Sequence, residues 1–207
     1  RSPGSDAYTA APDHVAESFR DAGATDVRFE EFPAPHPSRP PLRNVLARVP
    51  GVDGSRAVVL AAHHDTVPSA PGAIDDGGAV AALVEVARVL AAGPPPGCDV
   101  EFAVFDGEES GLLGSKAHVA AIGAAGRDRV RAAIAVELVG WKADRLVVHT
   151  LPHGFAWDAP GIAPSWLVDR ALAAGDAAGT PLHHGDPLLA PWYPGTVRLL
   201  KLGTGSD

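Results

Sequence analysis

The chain has 207 residues, 46% hydrophobic and 20% charged, and carries a formal net charge of −8 at pH 7. A chain of that length can bury roughly 70% of its unfolded surface without staples, so one domain over 1–207 is expected. The negative balance, with no clustered basic stripe, argues against a nucleic-acid partner. No apolar run reaches the roughly 18 residues of a transmembrane helix.

In chain order, "PDHVAESFRDAG" (12–23) predicts a helix, with Pro near its start, Val15, Phe19 and Ala22 on one face, and Gly23 as a stop. "TDVRFEEF" (25–32) alternates like a half-buried strand. Five prolines between Pro33 and Pro41 mark an extended connector. "RNVLARV" and "AVVLAAH" predict two strands, the second apolar enough to lie covered on both faces. "GGAVAALVEVARVLAAG" (77–93) predicts a nearly all-apolar helix whose wet edge is Glu85 and Arg88. A strand at 99–105 follows, with the single cysteine, Cys98, as a free thiol at its start. "GLLGSKAHVAAIG" predicts a helix capped by Ser110. "RAAIAVELVG" and "DRLVVHT" predict strands, 163–175 a late helix, and "TVRLLKLG" a further strand. Alternating strands and helices imply an α/β fold, a three-layer sandwich around a mixed, largely parallel sheet, with sites at the carboxyl ends of its strands.

The polar clusters fall at those ends. "HHD" follows "AVVLAA", "DGEES" follows "EFAVF", Glu137 closes "AAIAVE", and Asp75 and Asp76 lie in the loop entering the long helix. Carboxylates and imidazoles gathered on one sheet edge need a compensating cation, and zinc takes both ligand types. Successive strand side chains face opposite ways, so His63 and Asp65 share a face while His64 points away. His63 can then bind metal with Asp65 orienting its ring. Of Glu108 and Glu109, one can bind metal while the other serves as general base. Taken singly, a strand-end histidine pair or an exposed "EE" has a bland reading as packing or a solvated loop; their convergence reverses it.

"AHHDTV", "PGAIDDGGAVAALVEVARVL" and "FAVFDGEESGLLGS", in this order, resemble the co-catalytic zinc aminopeptidase family, which includes bacterial secreted aminopeptidases, glutamate carboxypeptidase II and, more distantly, glutaminyl cyclase. The resemblance runs from about Asn44 to Glu137 and more weakly beyond. It implies a metallo-exopeptidase acting on peptide substrates with two zinc ions, secreted or at the cell envelope. It implies His63 as a zinc ligand, Asp75 as the bridging ligand, Glu109 as ligand of the second zinc, Glu108 as the base, and Asp65 behind His63. It also implies a structural Asp76 after a cis peptide. It further implies a zinc ligand at Glu137 in "VELVG", a slot where the family pattern has aspartate, one methylene shorter.

The pattern's last ligand is a histidine well downstream of an "SDHxPF" motif, of which "GTGSD" matches the first two residues before Asp207. His149, His153, His183 and His184 sit in no matching context. With no methionine in the chain, the reading is a domain shortened at both ends and incomplete at the C-terminus. Two alternatives remain: a glutaminyl-cyclase-like acyltransferase with one zinc, and a non-catalytic domain that keeps the fold for binding. Glu108 argues against the second, since a scaffold needs no base. No GxSxG, HExxH, GxxxxGK[ST] or GxGxxG motif points elsewhere.

Overall fold

β3 (Asp53–His63) is the spine of the molecule, and its sequence shows why. From Ala57 onward its residues are buried or half-buried on both faces, which requires cover on each side. The computed structural model describes residues 5–140, 146–149, 165–184 and 196–200. Among these, eight strands form one sheet in the order β1-β2-β4-β3-β5-β8-β6-β7. They are β1 (Thr25–Phe32), β2 (Leu42–Val49), β3, β4 (Cys98–Phe105), β5 (Val130–Glu137), β6 (Leu146–His149), β7 (Leu182–His184) and β8 (Thr196–Leu200). β3 runs parallel to β4 and β5, and β6 parallel to β7 and β8. The β1–β2, β2–β4 and β5–β8 pairs are antiparallel.

Helices α1 (Asp6–Asp21), α2 (Gly77–Ala92), α3 (Leu113–Arg129) and α4 (Ser165–Ala177) supply the outer layers. On one face Phe19 of α1 and Leu83 of α2 close over Val45, Phe102 and Val104, with the Phe19 and Phe102 rings tilted at 5.4 Å. Leu60 packs against that cluster, and Val58, two residues earlier on the same face, packs beside Leu167 and Val168 of α4. Val59 points oppositely, into a smaller core with Leu46, Ala103, Val130 and Ala133. There α3 brings His118 to 5.8 Å from the Phe105 ring. The expected α/β sandwich is therefore the observed one.

Several boundaries differ, each for a local reason. α1 starts at Asp6 instead of Pro12, because the Ser5 side chain caps it by accepting from the Tyr8 N–H. Pro12 thus sits inside the helix and is buried against the core. Ser110 is not a cap: α3 begins after Leu112, which adopts left-handed backbone, and Ser110 lies in the preceding turn. α3 does break at Gly123, where the predicted helix ended, and continues to Arg129. β5 stops at Glu137 instead of running to Gly140, since Leu138 turns to φ 55° and donates its N–H to Asp76. β7 had no alternation to announce it and exists by pairing with β6. Cys98 is a free thiol at the head of β4.

At the edge of the sheet away from the polar clusters, buried Asp99 accepts from the Gly51 N–H at 2.8 Å, from Arg129 at 2.6 Å and from Arg48 at 3.1 Å. Arg129 also pairs with Glu101. Burial alone would raise the Asp99 carboxyl, but these donors outweigh it and hold it below the ordinary 3.8. A carboxyl so depressed stabilises the fold above its unfolded pKa, and that contribution is lost as pH falls through the folded value. Asp99→Asn should therefore cost about 1.5–3 kcal/mol at pH 7, the worth of hydrogen bonds to a charged group. In urea melts from pH 7 down to pH 2 the gap from wild type should narrow below about pH 4. A gap constant across that range would refute the ionic role.

Candidate active site

Strand register brings the polar clusters together. His63 pairs with Phe105, so "HHD" and "DGEE" leave β3 and β4 side by side. Ala61 pairs with Ala135, and two residues on lie His63 and Glu137. The loop from β3 re-enters as α2 through a cis peptide between Asp75 and Asp76, as the resemblance implied. Asp76 is fully buried, and its carboxylate accepts from the His63 N–H at 3.3 Å and the Leu138 N–H at 3.2 Å. It ties the start of α2 to the ends of β3 and β5. Gly78 makes that closure possible, because a Cβ there would lie 2.0 Å from the Val139 carbonyl oxygen.

His63 is 3% exposed, and its two ring nitrogens have different surroundings. Nδ1 lies 3.1 Å from the Asp65 carbonyl oxygen and 3.5 Å from the Asp65 carboxylate. Nε2 faces Asp75 at 3.0 Å and Glu108 at 4.0 Å. The pairing of His63 with Asp65 differs from expectation in one detail. The main-chain oxygen makes the nearer contact, while the carboxylate accepts from the Glu108 N–H at 3.0 Å and the Glu109 N–H at 3.2 Å. One buried aspartate thus holds both the histidine and the glutamate pair. His64 points the other way, its Nε2 3.0 Å from the Arg43 carbonyl oxygen and its ring 6.1 Å from that of Tyr8.

The electrostatics are those of a cluster with too many carboxylates. Burial by itself would lower His63, yet Asp65, Asp75, Asp76 and Glu108 push it up to about 11. Burial, joined by Glu137, Glu109 and Asp65, pushes Glu108 up to about 7 against the pull of His63. Burial and Asp75 raise Glu109 as well. A proton on His63 does here what a cation would do better, and imidazole with carboxylate oxygens is a zinc donor set in kind. In geometry the set is partial. His63 and Asp75 meet, but among the described residues no three His, Cys, Asp or Glu side chains surround one point at ligating distance.

His183 and His184 lie on β7, the outermost strand, and are exposed, so the fold does not bring them to His63. His149 ends β6, and His153 and the "GTGSD" stretch lie outside the described residues. Sequence reasoning missed Asn44 and Asp106. Asn44 is fully buried, accepts from the Asp106 N–H at 3.0 Å and donates to the Gly114 carbonyl and to Glu30. A buried Asn inside a predicted strand was the available signal, since such a side chain must find partners.

A model of Peptidase family M28 matches residues 44–160. The chain is 31% identical over 157 residues to aminopeptidase YwaD of Bacillus subtilis, covering 66% of this chain and 34% of that one. It spans about a third of the length of the curated relatives it matches. Among solved structures it superposes on a zinc aminopeptidase from Bacillus subtilis with TM-score 0.60 and 25% identity, covering 78% of this chain and 40% of that one. It also superposes on an Acidobacteriales bacterium glutaminyl cyclase with TM-score 0.73 and 21% identity, covering 96% and 72%. The second likeness concerns the fold alone.

Proposed function

The chain belongs to peptidase family M28, and on that premise we propose that it is the core of a zinc-dependent aminopeptidase, one domain over 1–207, that removes N-terminal residues from peptides. The observation that carries this reading is the meeting of His63 with Asp75 and Glu108, where the level ends of β3 and β4 face the loop entering α2. His63, Asp75, Glu109 and Glu137 are the residues that would hold the zinc, two ions in the complete site. Bound zinc supplies the Lewis acidity that polarises the scissile carbonyl and acidifies the attacking water.

The chain's own residues do the rest. Glu108 takes the proton of the attacking water and passes it to the leaving amine, a role open to a carboxylate that faces the His63 ring without being one of the ligands. Asp65 keeps Nδ1 of His63 engaged, so Nε2 faces the ligand side, and it fixes the backbone from which Glu108 projects. The resemblance extends the reading to a secreted or cell-envelope protein. Among the described residues no helix is long and apolar enough to cross a membrane.

Incubation of the full chain with leucine p-nitroanilide and with a peptide bearing N-terminal glutamine tests the activity. Release of p-nitroaniline with stepwise loss of N-terminal residues is expected. Cyclisation of the glutamine peptide without any hydrolysis would select the acyltransferase instead.

A further inference from the structure

Glu108 sits in a loop that returns on itself. Gly107 takes φ 69°, and the Gly114 N–H donates to the Asp106 carbonyl at 2.9 Å. The Leu113 N–H donates to the Gly107 carbonyl at 3.0 Å, and the N–H groups of Gly111 and Leu112 donate to the Glu108 carbonyl at 2.9 Å. The loop therefore leaves from and closes on Asp106, and its position depends on where Asp106 is held.

Asp106 is 2% exposed, and both oxygens of its carboxylate are taken. Oδ2 accepts from the Arg43 N–H at 2.9 Å. Oδ1 accepts from the Tyr8 hydroxyl at 2.7 Å, across 98 residues of sequence. Tyr8 lies in the first turn of α1, outside the residues matched by the family model. Burial, foremost, and the Asp106 carboxylate raise its phenol above the ordinary 10.0, so it remains a donor. Its ring lies 6.1 Å from that of His64, whose backbone N–H donates to the Phe105 carbonyl beside Asp106.

We propose that Tyr8 is a positioning residue for the general base, acting through Asp106 to hold the loop that carries Glu108. The proposal rests on the assignment of Glu108 as base. Asp65 fixes the loop at Glu108 and Glu109, and Tyr8 fixes it at the root. Removing the hydroxyl leaves a buried carboxylate oxygen without its donor, and Asp106 must shift to find water. A small displacement transmitted to Glu108 spoils the alignment of proton transfer without touching substrate binding.

Tyr8→Phe in the full chain keeps the ring and removes only the hydroxyl. Its kcat should fall about 10- to 100-fold, the range for a misplaced catalytic group, with KM within about twofold and zinc content unchanged. Amide hydrogen exchange at Asp106, Glu108 and Glu109 should quicken about fivefold, the worth of one hydrogen bond, with the core of β3 unchanged. Asp106→Asn should reproduce the fall in kcat, and Tyr8→Phe added to it should cost little more. Unchanged local exchange with kcat within twofold of wild type overturns the proposal. So does faster exchange throughout the chain with wild-type kcat per folded molecule, which would make Tyr8 merely structural. Losses that add in the double variant overturn the route through Asp106. Exchange reads the contact without turnover. A wild-type chain inactive on peptides whose Tyr8→Phe variant still shows the local change counts against the aminopeptidase reading on which the base assignment rests, and supports the contact.

Discussion

Glu108→Gln is expected to lower kcat by about 10² to 10⁴, the usual contribution of a positioned base, while zinc content and fold stay as in wild type. Glutamine is isosteric but its amide cannot take a proton. The contact that seats the loop is made by the backbone N–H of residue 108 to Asp65 Oδ1 at 3.0 Å, which the substitution leaves in place. The change therefore separates the chemistry of the carboxylate from the geometry of the loop. Steady-state turnover of leucine p-nitroanilide, with zinc counted by atomic emission, reads both. Near-wild-type turnover would remove Glu108 from the reaction. A loss of zinc along with activity would instead make Glu108 a ligand and pass the role of base to Glu109.

Removal of metal by a chelator should abolish turnover, and added zinc should restore it, with activity saturating at about two ions per chain as a shared-ligand site requires. The cluster also predicts a change in stability. Without a cation, the carboxylates of Asp65, Asp75, Asp76 and Glu108 are balanced chiefly by a proton on His63, whose pKa they drive to about 11 against the effect of burial. A ligand that binds only the folded state stabilises it by mass action, about 2.7 kcal/mol at a hundredfold excess over Kd. The stripped protein should therefore melt lower, and its Tm should recover with zinc. His63→Ala and Asp75→Ala should each reduce the zinc bound and blunt that recovery. Saturation at one ion would overturn the two-ion assignment, and no zinc binding above background would overturn the metal reading altogether.

Much of this was legible in the chain, and the reason is that β-strands announce their ends. An almost wholly apolar run such as "AVVLAA" must lie inside a sheet, so the first polar residues after it must emerge at an edge. Three such runs ending in "HHD", "DGEE" and "E" predict a shared edge before any coordinate is known. The period of two then separates His63 from His64, and the observed side chains do point apart. Element boundaries were less legible because they depend on partners that local pattern does not contain. Pro12 reads as a helix start, yet the helix begins at Asp6 because Ser5 caps it. "VELVG" reads as strand to its end, yet Leu138 turns out of β5 to reach Asp76.

The sequence by itself determined the sheet, the edge where the acidic and imidazole groups collect, and which histidine of the pair faces them. These follow from hydrophobic period and spacing, which are properties of neighbouring residues. Only the tertiary structure decided how that edge is held. Asp65 grips two backbone N–H groups more than forty residues away, Asp76 joins two strand ends to a helix, and Tyr8 reaches Asp106 from the first helix. Such contacts pair a side chain with a distant partner, often a backbone group that any residue type could offer. Local pattern carries no mark of them: the register of β3 on β4 brings Asp65 to the Glu108 loop, and the packing of α2 and α1 against the sheet brings Asp76 and Tyr8 to their partners.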